Sequence, residues 1–145
     1  GVGQLLLHVT TTAIIEIAAD GKTAKGIWNL HGMNAELTPA GQVGYWEFAR
    51  VAADFIKEDG SWKVWHMLYL QDLYIPCGQS WADNAEKKEY PVDPAYAELA
   101  EFVFPEPNIR KTLHETYHNY RRLQNGPDYP VPYETFSETF TYGVQ

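Results

Sequence analysis

Runs rich in β-branched and aromatic residues make up most of the first half of the chain, and two Asp-Gly pairs interrupt them, Asp20-Gly21 and Asp59-Gly60. Asp-Gly between β-branched and aromatic runs is a preferred hairpin turn, because it tolerates positive φ. The pattern predicts a four-stranded antiparallel meander over residues 5–18, 22–33, 44–57 and 61–72, with residues 34–43 as a loop.

The Asp59-Gly60 turn also predicts the register of the second hairpin, because a two-residue loop fixes which residues face each other. Phe55 is then expected opposite Val64, and His66 opposite Ala53. The two strands carry apolar residues on both sides, which favours a sheet covered on both faces. Arg50 and Asp54 fall on one face, where we expect an ion pair.

The first hairpin combines an apolar face with a polar cluster. A loop at Asp20-Gly21 predicts Glu16 opposite Lys25 and Ile14 opposite Ile27. Continued at the same register, it places five polar residues on one face: His8, Thr10, Thr12, Asn29 and His31. Uncharged polar side chains grouped in this way indicate a wet surface or a lined pocket.

The second half of the chain, residues 74–145, changes in character. Proline and capping residues predict a short helix over 94–103 and another over 108–123, followed by an extended aromatic tail over 128–145. Together with the meander over residues 1–73, this predicts one α+β domain over residues 1–145.

Composition narrows the possible functions. The formal charge is −8, which argues against nucleic acid, whose phosphates require clustered Lys and Arg. The one cysteine, Cys77, excludes an internal disulfide framework and fits a reducing compartment. No stretch is long and apolar enough to span a membrane, and we expect a soluble, cytoplasmic protein without membrane contacts.

Four motifs resemble a known family in their order and spacing. They are His8-Val-Thr-Thr-Thr-Ala-Ile-Ile-Glu-Ile, Asp20-Gly-Lys-Thr-Ala-Lys-Gly-Ile-Trp, Arg50-Val-Ala-Ala-Asp-Phe and Asp59-Gly-Ser-Trp-Lys-Val. Over residues 4–73 the chain resembles the SnoaL-like branch of the nuclear-transport-factor-2-like superfamily. That branch includes polyketide cyclases, scytalone dehydratase and bile-acid 7α-dehydratase.

The resemblance implies a cone: a strongly curved antiparallel sheet wrapped around helices, with an apolar pocket inside. It implies that His8 is a catalytic acid/base, and His31 is the nearest match to a second polar residue. Helices that precede the first strand in the family bring a Tyr and an Asp into the pocket. This sequence starts directly before a strand, so we expect that such a segment was lost or removed, or that residues 94–145 or a second subunit take its place.

The sequence therefore predicts binding of a small, largely apolar molecule, aromatic or polycyclic. If the protein is an enzyme, we expect cofactor-free dehydration, isomerisation or cyclisation, with His8 and His31 as the acid/base pair. Candidate substrate-binding residues are Thr10, Thr12, Trp28, Asn29, Trp65 and Met67. The alternative is a non-catalytic ligand-binding or assembly domain, and in either case we expect a homodimer formed through the sheet.

A third hypothesis comes from His114-Glu115-Thr116-Tyr117-His118, which has the His-Glu-x-x-His spacing of zinc hydrolases. On a helix, histidines at i and i+4 can share a metal while the glutamate activates water. Only a proline-rich tail follows to supply a third ligand. Surface histidines are therefore the favoured interpretation, and we predict no metal site.

Overall fold

The computed structural model describes residues 3–38, 41–83, 116–119, 123, 126–138 and 141–143. Five strands form one antiparallel sheet: β1 Leu5–Thr10, β2 Ile14–Ile17, β3 Thr23–Thr38, β4 Gly41–Glu58 and β5 Ser61–Pro76. The order across the sheet is β1-β3-β4-β5, and β2 pairs with the same edge of β3 as β1 does. A short 3-10 turn follows at Trp81–Asp83. The predicted antiparallel sheet is confirmed.

Both predicted Asp-Gly turns are present. Asp59 and Gly60 have φ values of 50° and 77°, as a type I′ turn requires. Near the two turns the predicted register is confirmed by three pairings, Phe55 with Val64, Glu16 with Lys25 and Ile14 with Ile27.

The predicted loop over residues 34–43 is wrong. β3 continues to Thr38 and β4 begins at Gly41, and the two strands pair without a shift of register from Thr23 to Thr38. Gly41 has a φ of 110°, which glycine adopts without strain, and the Thr38 hydroxyl donates a hydrogen bond to the Gly41 carbonyl over 2.8 Å. Asn34 and Glu47 further join the two strands through a side-chain hydrogen bond of 2.7 Å.

Farther from the Asp59-Gly60 turn the predicted register is wrong, because β5 contains irregularities opposite Asp54/Phe55 and Phe48/Ala49. At the first, Trp65 is the extra residue of a β-bulge, so His66 lies opposite Asp54 instead of Ala53. At the second, Asp72 is the extra residue. Each bulge therefore brings a charged or polar residue of β5 to a partner on β4.

The first hairpin also departs from its predicted register. Residues 11–13 belong to no strand, and beyond them β1 pairs with β3 one residue out of the register of β2. His8 therefore pairs with Gly32, and Val9 pairs with His31. A shift of one residue moves a side chain to the other face, so His8 and His31 lie on opposite faces. These are called the His8 face and the His31 face below.

Near the hairpin turns, the His31 face is covered by the C-terminal segment, of which residues 126–138 and 141–143 are described. Its buried apolar cluster comprises Ile27, Ala52, Leu68, Leu70 and Tyr142. Beside it Lys25 and Asp54, each 1% exposed, form an ion pair of 2.6 Å. Asp54 also accepts hydrogen bonds from the Tyr142 backbone amide over 2.9 Å and from the Thr141 hydroxyl. The segment is thus fastened to the sheet at a buried carboxylate.

The expected ion pair between Arg50 and Asp54 is absent. Lys25 neutralises Asp54, while Arg50 binds Asp72 through two hydrogen bonds of 2.7 and 2.6 Å. The register explains the difference: Lys25 pairs directly with Asp54 across β3 and β4, and the second bulge supplies Asp72 to Arg50.

Most of the second predicted C-terminal helix, over 108–123, lies outside the described residues, and the first, over 94–103, lies outside them entirely. Within the predicted helix over 108–123, residues 116–118 have no regular structure and Asn119 is in a turn. The Tyr117 amide donates to the carbonyl of Asp72 in β5 over 2.7 Å. Residues 116–119 therefore do not form a helix. In a helix the Tyr117 amide would donate to the carbonyl four residues earlier, whereas here it donates to β5.

Candidate functional site

The strongest candidate site surrounds Glu47, an acidic residue near the middle of β4 that is only 3% exposed. Its carboxylate accepts hydrogen bonds from four side chains. The donors are His8 Nε2 at 3.0 Å, Asn34 Nδ2 at 2.7 Å, Gln71 Nε2 at 2.7 Å and the Tyr69 hydroxyl. A buried carboxylate requires such partners, since an unpaired buried charge is strongly unfavourable.

Gly32 allows His8 and Glu47 to meet across an intervening strand. It pairs with His8 on one side and with Glu47 on the other. A Cβ at Gly32 would lie 3.0 Å from the Glu47 Cβ and 3.0 Å from the His8 Cδ2. The missing side chain leaves the space through which the imidazole reaches the carboxylate.

The electrostatics of the site keep Glu47 ionised. Burial alone would raise the pKa of Glu47, but hydrogen bonds from Gln71, Tyr69 and Asn34, together with the charge of His8, lower it below its usual value. Since a carboxylate only accepts hydrogen bonds, His8 Nε2 carries the proton in this contact. In the neutral ring Nδ1 is then the unprotonated nitrogen.

Two tyrosines complete the polar cluster. Burial, followed by the adjacent carboxylates, raises the pKa of Tyr69 and of Tyr74. Both phenols therefore stay protonated and serve as donors, Tyr69 to Glu47 and Tyr74 to Glu36. The Tyr69 ring also stacks on His8 with ring centroids 6.3 Å apart. His8 is thus held by a hydrogen bond at one atom and by an aromatic ring at its face, while its side chain remains 24% exposed.

His31 does not join His8. It lies on the other face of the sheet, is exposed, and contacts the Phe48 ring edge-on at a centroid distance of 5.0 Å. The predicted shared face for the two histidines is wrong, because the break at residues 11–13 shifts the register of β1. The partner that the structure gives to His8 is Glu47 instead.

The predicted substrate-binding residues are divided between the faces. Thr10, Trp28 and Met67 lie on the His8 face by register, and Asn29 lies on the His31 face. The rings of Trp28 and Phe55 meet edge-on with their centroids 6.0 Å apart, and Met67 is 65% exposed.

Trp65 and Thr12 lie at irregular positions. Trp65 is the bulge residue, and its ring lies 4.5 Å from that of Phe136 and 4.5 Å from that of His66. Thr12 is exposed in the break between β1 and β2. Neither residue therefore belongs to a regular face of the sheet.

A cavity of about 380 Å³ opens between the sheet and the segment after Gly126. It is lined by Thr12, Ile14, Ile27, Trp28, Asn29, Arg50, Gly126, Pro127, Asp128 and Tyr129. Three of the predicted substrate-binding residues, Thr12, Trp28 and Asn29, thus line one cavity, and His8 does not.

The zinc hypothesis gains no support from the described part of the chain. No group of three or more His, Cys, Asp or Glu residues there could hold a metal ion. His114 and Glu115 lie outside the described residues, and His118 is not on a helix. In the same ranges, no helix is long and apolar enough to cross a membrane.

Sequence reasoning missed Glu47 and its partners Asn34, Tyr69 and Gln71. A signal for Glu47 is present, because it is an acidic residue within the apolar run Tyr-Trp-Glu-Phe-Ala, where a strand is expected to be buried. Asn34 was missed because it was assigned to a loop. Tyr69 and Gln71 were missed because the bulge at Trp65 shifts the register and moves their side chains to the face of Glu47.

Residues 1–68 of the chain match the model of a family described as a SnoaL-like domain. The predicted resemblance to the SnoaL-like branch of the nuclear-transport-factor-2-like superfamily is thereby confirmed for this segment, which contains His8, Gly32, Asn34 and Glu47. A comparison with curated proteins finds no match. The family match suggests, in general terms, ligand binding or an isomerase- or cyclase-type reaction.

Proposed function

We propose that the protein binds a small, largely apolar molecule, aromatic or polycyclic, against the His8 face and catalyses cofactor-free proton transfer on it. Dehydration, isomerisation and cyclisation are the reactions of this type. The observation that carries the proposal is the 3.0 Å contact between the partly exposed His8 and the buried Glu47. In this proposal the sheet curves into a cone and helices complete the pocket.

His8 is the catalytic acid/base and Glu47 is its positioning residue. With Nε2 bound to Glu47, Nδ1 has no hydrogen-bond partner among the described residues. Nδ1 takes a proton from a carbon or hydroxyl of the ligand and returns it to another atom of the same molecule. The Glu47 carboxylate stabilises the imidazolium formed between the two steps, and it fixes the orientation of the ring.

The surroundings of His8 fit a ligand that is mainly apolar. Thr10 is two residues farther along β1 on the same face, where its hydroxyl can bind a ligand oxygen. Trp28 and Met67 offer apolar surface on this face, and Met67 adapts readily to ligand shape because it is unbranched. His31 has no part in the reaction, since it is on the other face.

The ring opening of 5-nitrobenzisoxazole tests the proposal. This apolar aromatic compound needs only a base: removal of its C3 proton breaks the N–O bond and gives a coloured nitrile phenolate. We expect turnover by the unmodified protein, and a loss of about 100-fold or more in kcat/KM for His8→Ala, in the range typical of general-base catalysis. Glu47→Gln keeps the side-chain size and is expected to lower the rate by a smaller factor.

His31→Ala is the matched control, because it removes the same ring from the opposite face of the neighbouring strand. Its rate should equal that of the unmodified protein, and circular dichroism should show all three variants folded. Equal losses for His8→Ala and His31→Ala, or no turnover above that of free imidazole, would contradict the proposal.

Assembly as a homodimer is a second function that a specific observation favours. An outer apolar patch on the His31 face consists of Leu7, Val9, Met33, Trp46 and Phe48, which are between 39% and 55% exposed. These side chains fall in two adjacent cross-strand rows. The patch carries no formal charge, so two copies with a charge of −8 can meet there with little repulsion.

Sedimentation velocity tests the dimer with two matched substitutions. Met33→Lys places a charge in the outer apolar patch, whereas Met67→Lys places the same charge on the His8 face. We expect the unmodified protein and Met67→Lys to sediment as dimers, and Met33→Lys as a monomer. A monomeric unmodified protein, or a dimer that Met33→Lys leaves intact, would exclude assembly through this patch.

A further inference from the structure

The cavity beside Gly126 is separate from the His8 site. Neither His8 nor Glu47 lines it. Its walls come from the break before β2, from β2, β3 and β4, and from the chain segment that begins at Gly126. Its volume of about 380 Å³ falls within the usual range for small-molecule sites.

The charges of the described residues at this cavity are not balanced. Among the described lining residues Arg50 is the one cation, and Asp72 neutralises it through two hydrogen bonds of 2.7 and 2.6 Å. Asp128 is the one acidic residue among them, and its carboxylate has no hydrogen-bond or ion-pair partner in the described part of the chain. Counting Asp72, the described residues at the cavity carry a net charge of −1, in a chain whose charge is −8.

The remaining lining is suited to an apolar body with a polar end. Ile14 and Ile27 supply apolar surface, and Thr12 and Asn29 supply neutral hydrogen-bonding groups. One aromatic side chain, that of Tyr129, belongs to a lining residue on this side of the sheet, whereas the ring of Trp28 lies on the His8 face against Phe55. Aromatic rings attract organic cations in addition to packing against apolar groups.

We propose that this cavity binds a small organic cation, an arylalkyl ammonium compound. The ammonium group lies at the Asp128 carboxylate, and the aryl group lies against Ile14 and Ile27. An organic anion is disfavoured, because Asp72 already occupies the fork of the Arg50 guanidinium and Asp128 repels a second negative charge.

Isothermal titration calorimetry with three probes that share a naphthalene ring and differ in charge tests the charge preference. The probes are 1-naphthylmethylammonium, neutral 1-naphthalenemethanol and anionic 1-naphthoate. We expect the ammonium probe to bind tightest and the naphthoate weakest, and added salt to weaken only the ammonium probe relative to the alcohol. Tightest binding of naphthoate would overturn the proposal and indicate that Arg50 dominates the cavity.

A pair of charge-neutralising variants tests the location. Asp128→Asn should weaken the ammonium probe by about fivefold, as expected for one partly exposed ion pair, and should leave the neutral probe unchanged. Asp59→Asn removes the same charge at the exposed hairpin turn and should leave both affinities unchanged. Equal effects of the two variants would refute the assignment of the ammonium to Asp128.

The His8→Ala variant separates this site from the proposed function. It should bind the ammonium probe as the unmodified protein does, whether or not the protein opens 5-nitrobenzisoxazole. A loss of ammonium binding in His8→Ala would show that the probe occupies the His8 face, contrary to the proposal.

Discussion

Replacement of Lys25 by Met removes one partner of a fully buried ion pair. Lys25 and Asp54 are each 1% exposed and their charged atoms are 2.6 Å apart. The Lys25 ammonium also lies 5.1–5.8 Å from the ring centroids of Tyr133, Phe136 and Tyr142. Removing the cation leaves the Asp54 carboxylate in place without its counter-charge.

The expected cost follows from the environment of that carboxylate. Breaking a buried pair by removing one partner typically costs about 3–5 kcal/mol. Asp54 keeps hydrogen bonds from Thr141 and the Tyr142 amide and a 3.0 Å contact with His66, and the methionine side chain can pack against the three rings. We therefore expect a loss of about 3 kcal/mol in the free energy of unfolding, at the lower end of the range.

Urea unfolding followed by tryptophan fluorescence measures this loss. Lys63→Met is the matched control, because it breaks the Lys63–Glu58 pair, whose length is 2.7 Å and whose side chains are 54% and 51% exposed. The control should cost less than about 1 kcal/mol. If Lys25→Met destabilises the protein no more than Lys63→Met does, the buried pair does not hold the C-terminal segment on the sheet.

Two further predictions concern pH and close packing. The pKa values of Asp54 and Glu47 are lowered from their ordinary 3.8 and 4.5, so the stability they contribute is complete above those values and is lost as the pH falls through the folded-state pKa values. The urea midpoint of the unmodified protein should therefore fall steeply with pH below about pH 4, and that of Asp54→Asn should fall less steeply. Equal pH dependence in the two proteins would contradict the assignment of this loss of stability to Asp54. Gly32→Ala should lower the free energy of unfolding in urea by about 1–3 kcal/mol, because the new Cβ crowds His8 and Glu47. The same variant should slow the nitrobenzisoxazole reaction. An unchanged rate would show that the reaction does not need the His8–Glu47 contact.

The sequence predicts this sheet well wherever local chemistry decides the structure. Asp59-Gly60 determines a turn, and the turn determines the pairing of Phe55 with Val64. The prediction fails beyond Trp65, where a bulge brings His66 to the buried Asp54. That bulge is stabilised by contacts distant in the sequence, which alternation of apolar and polar residues cannot reveal.

The candidate site shows the same division. His8 was identified from its motif, but its partner was not, because the break at residues 11–13 reverses the face on which β1 presents its side chains. The contact of His8 with Glu47 across Gly32 depends on the pairing of three strands, β1, β3 and β4. A register shift of one residue therefore explains why His8 contacts Glu47 and does not share a face with His31, although the sequence predicted a shared face.

The most direct test of the His8–Glu47 unit is the protonation of the His8 ring, measured by long-range ¹H–¹⁵N NMR above the pH at which the ring titrates. Glu47 accepts a hydrogen bond from Nε2, so the neutral ring should carry its proton on Nε2, with Nδ1 unprotonated and able to act as a base. Glu47→Gln should weaken that preference, whereas His31→Ala should leave the His8 signals unchanged. A proton on Nδ1 of the neutral ring, or His8 signals that do not respond to Glu47→Gln, would contradict the account.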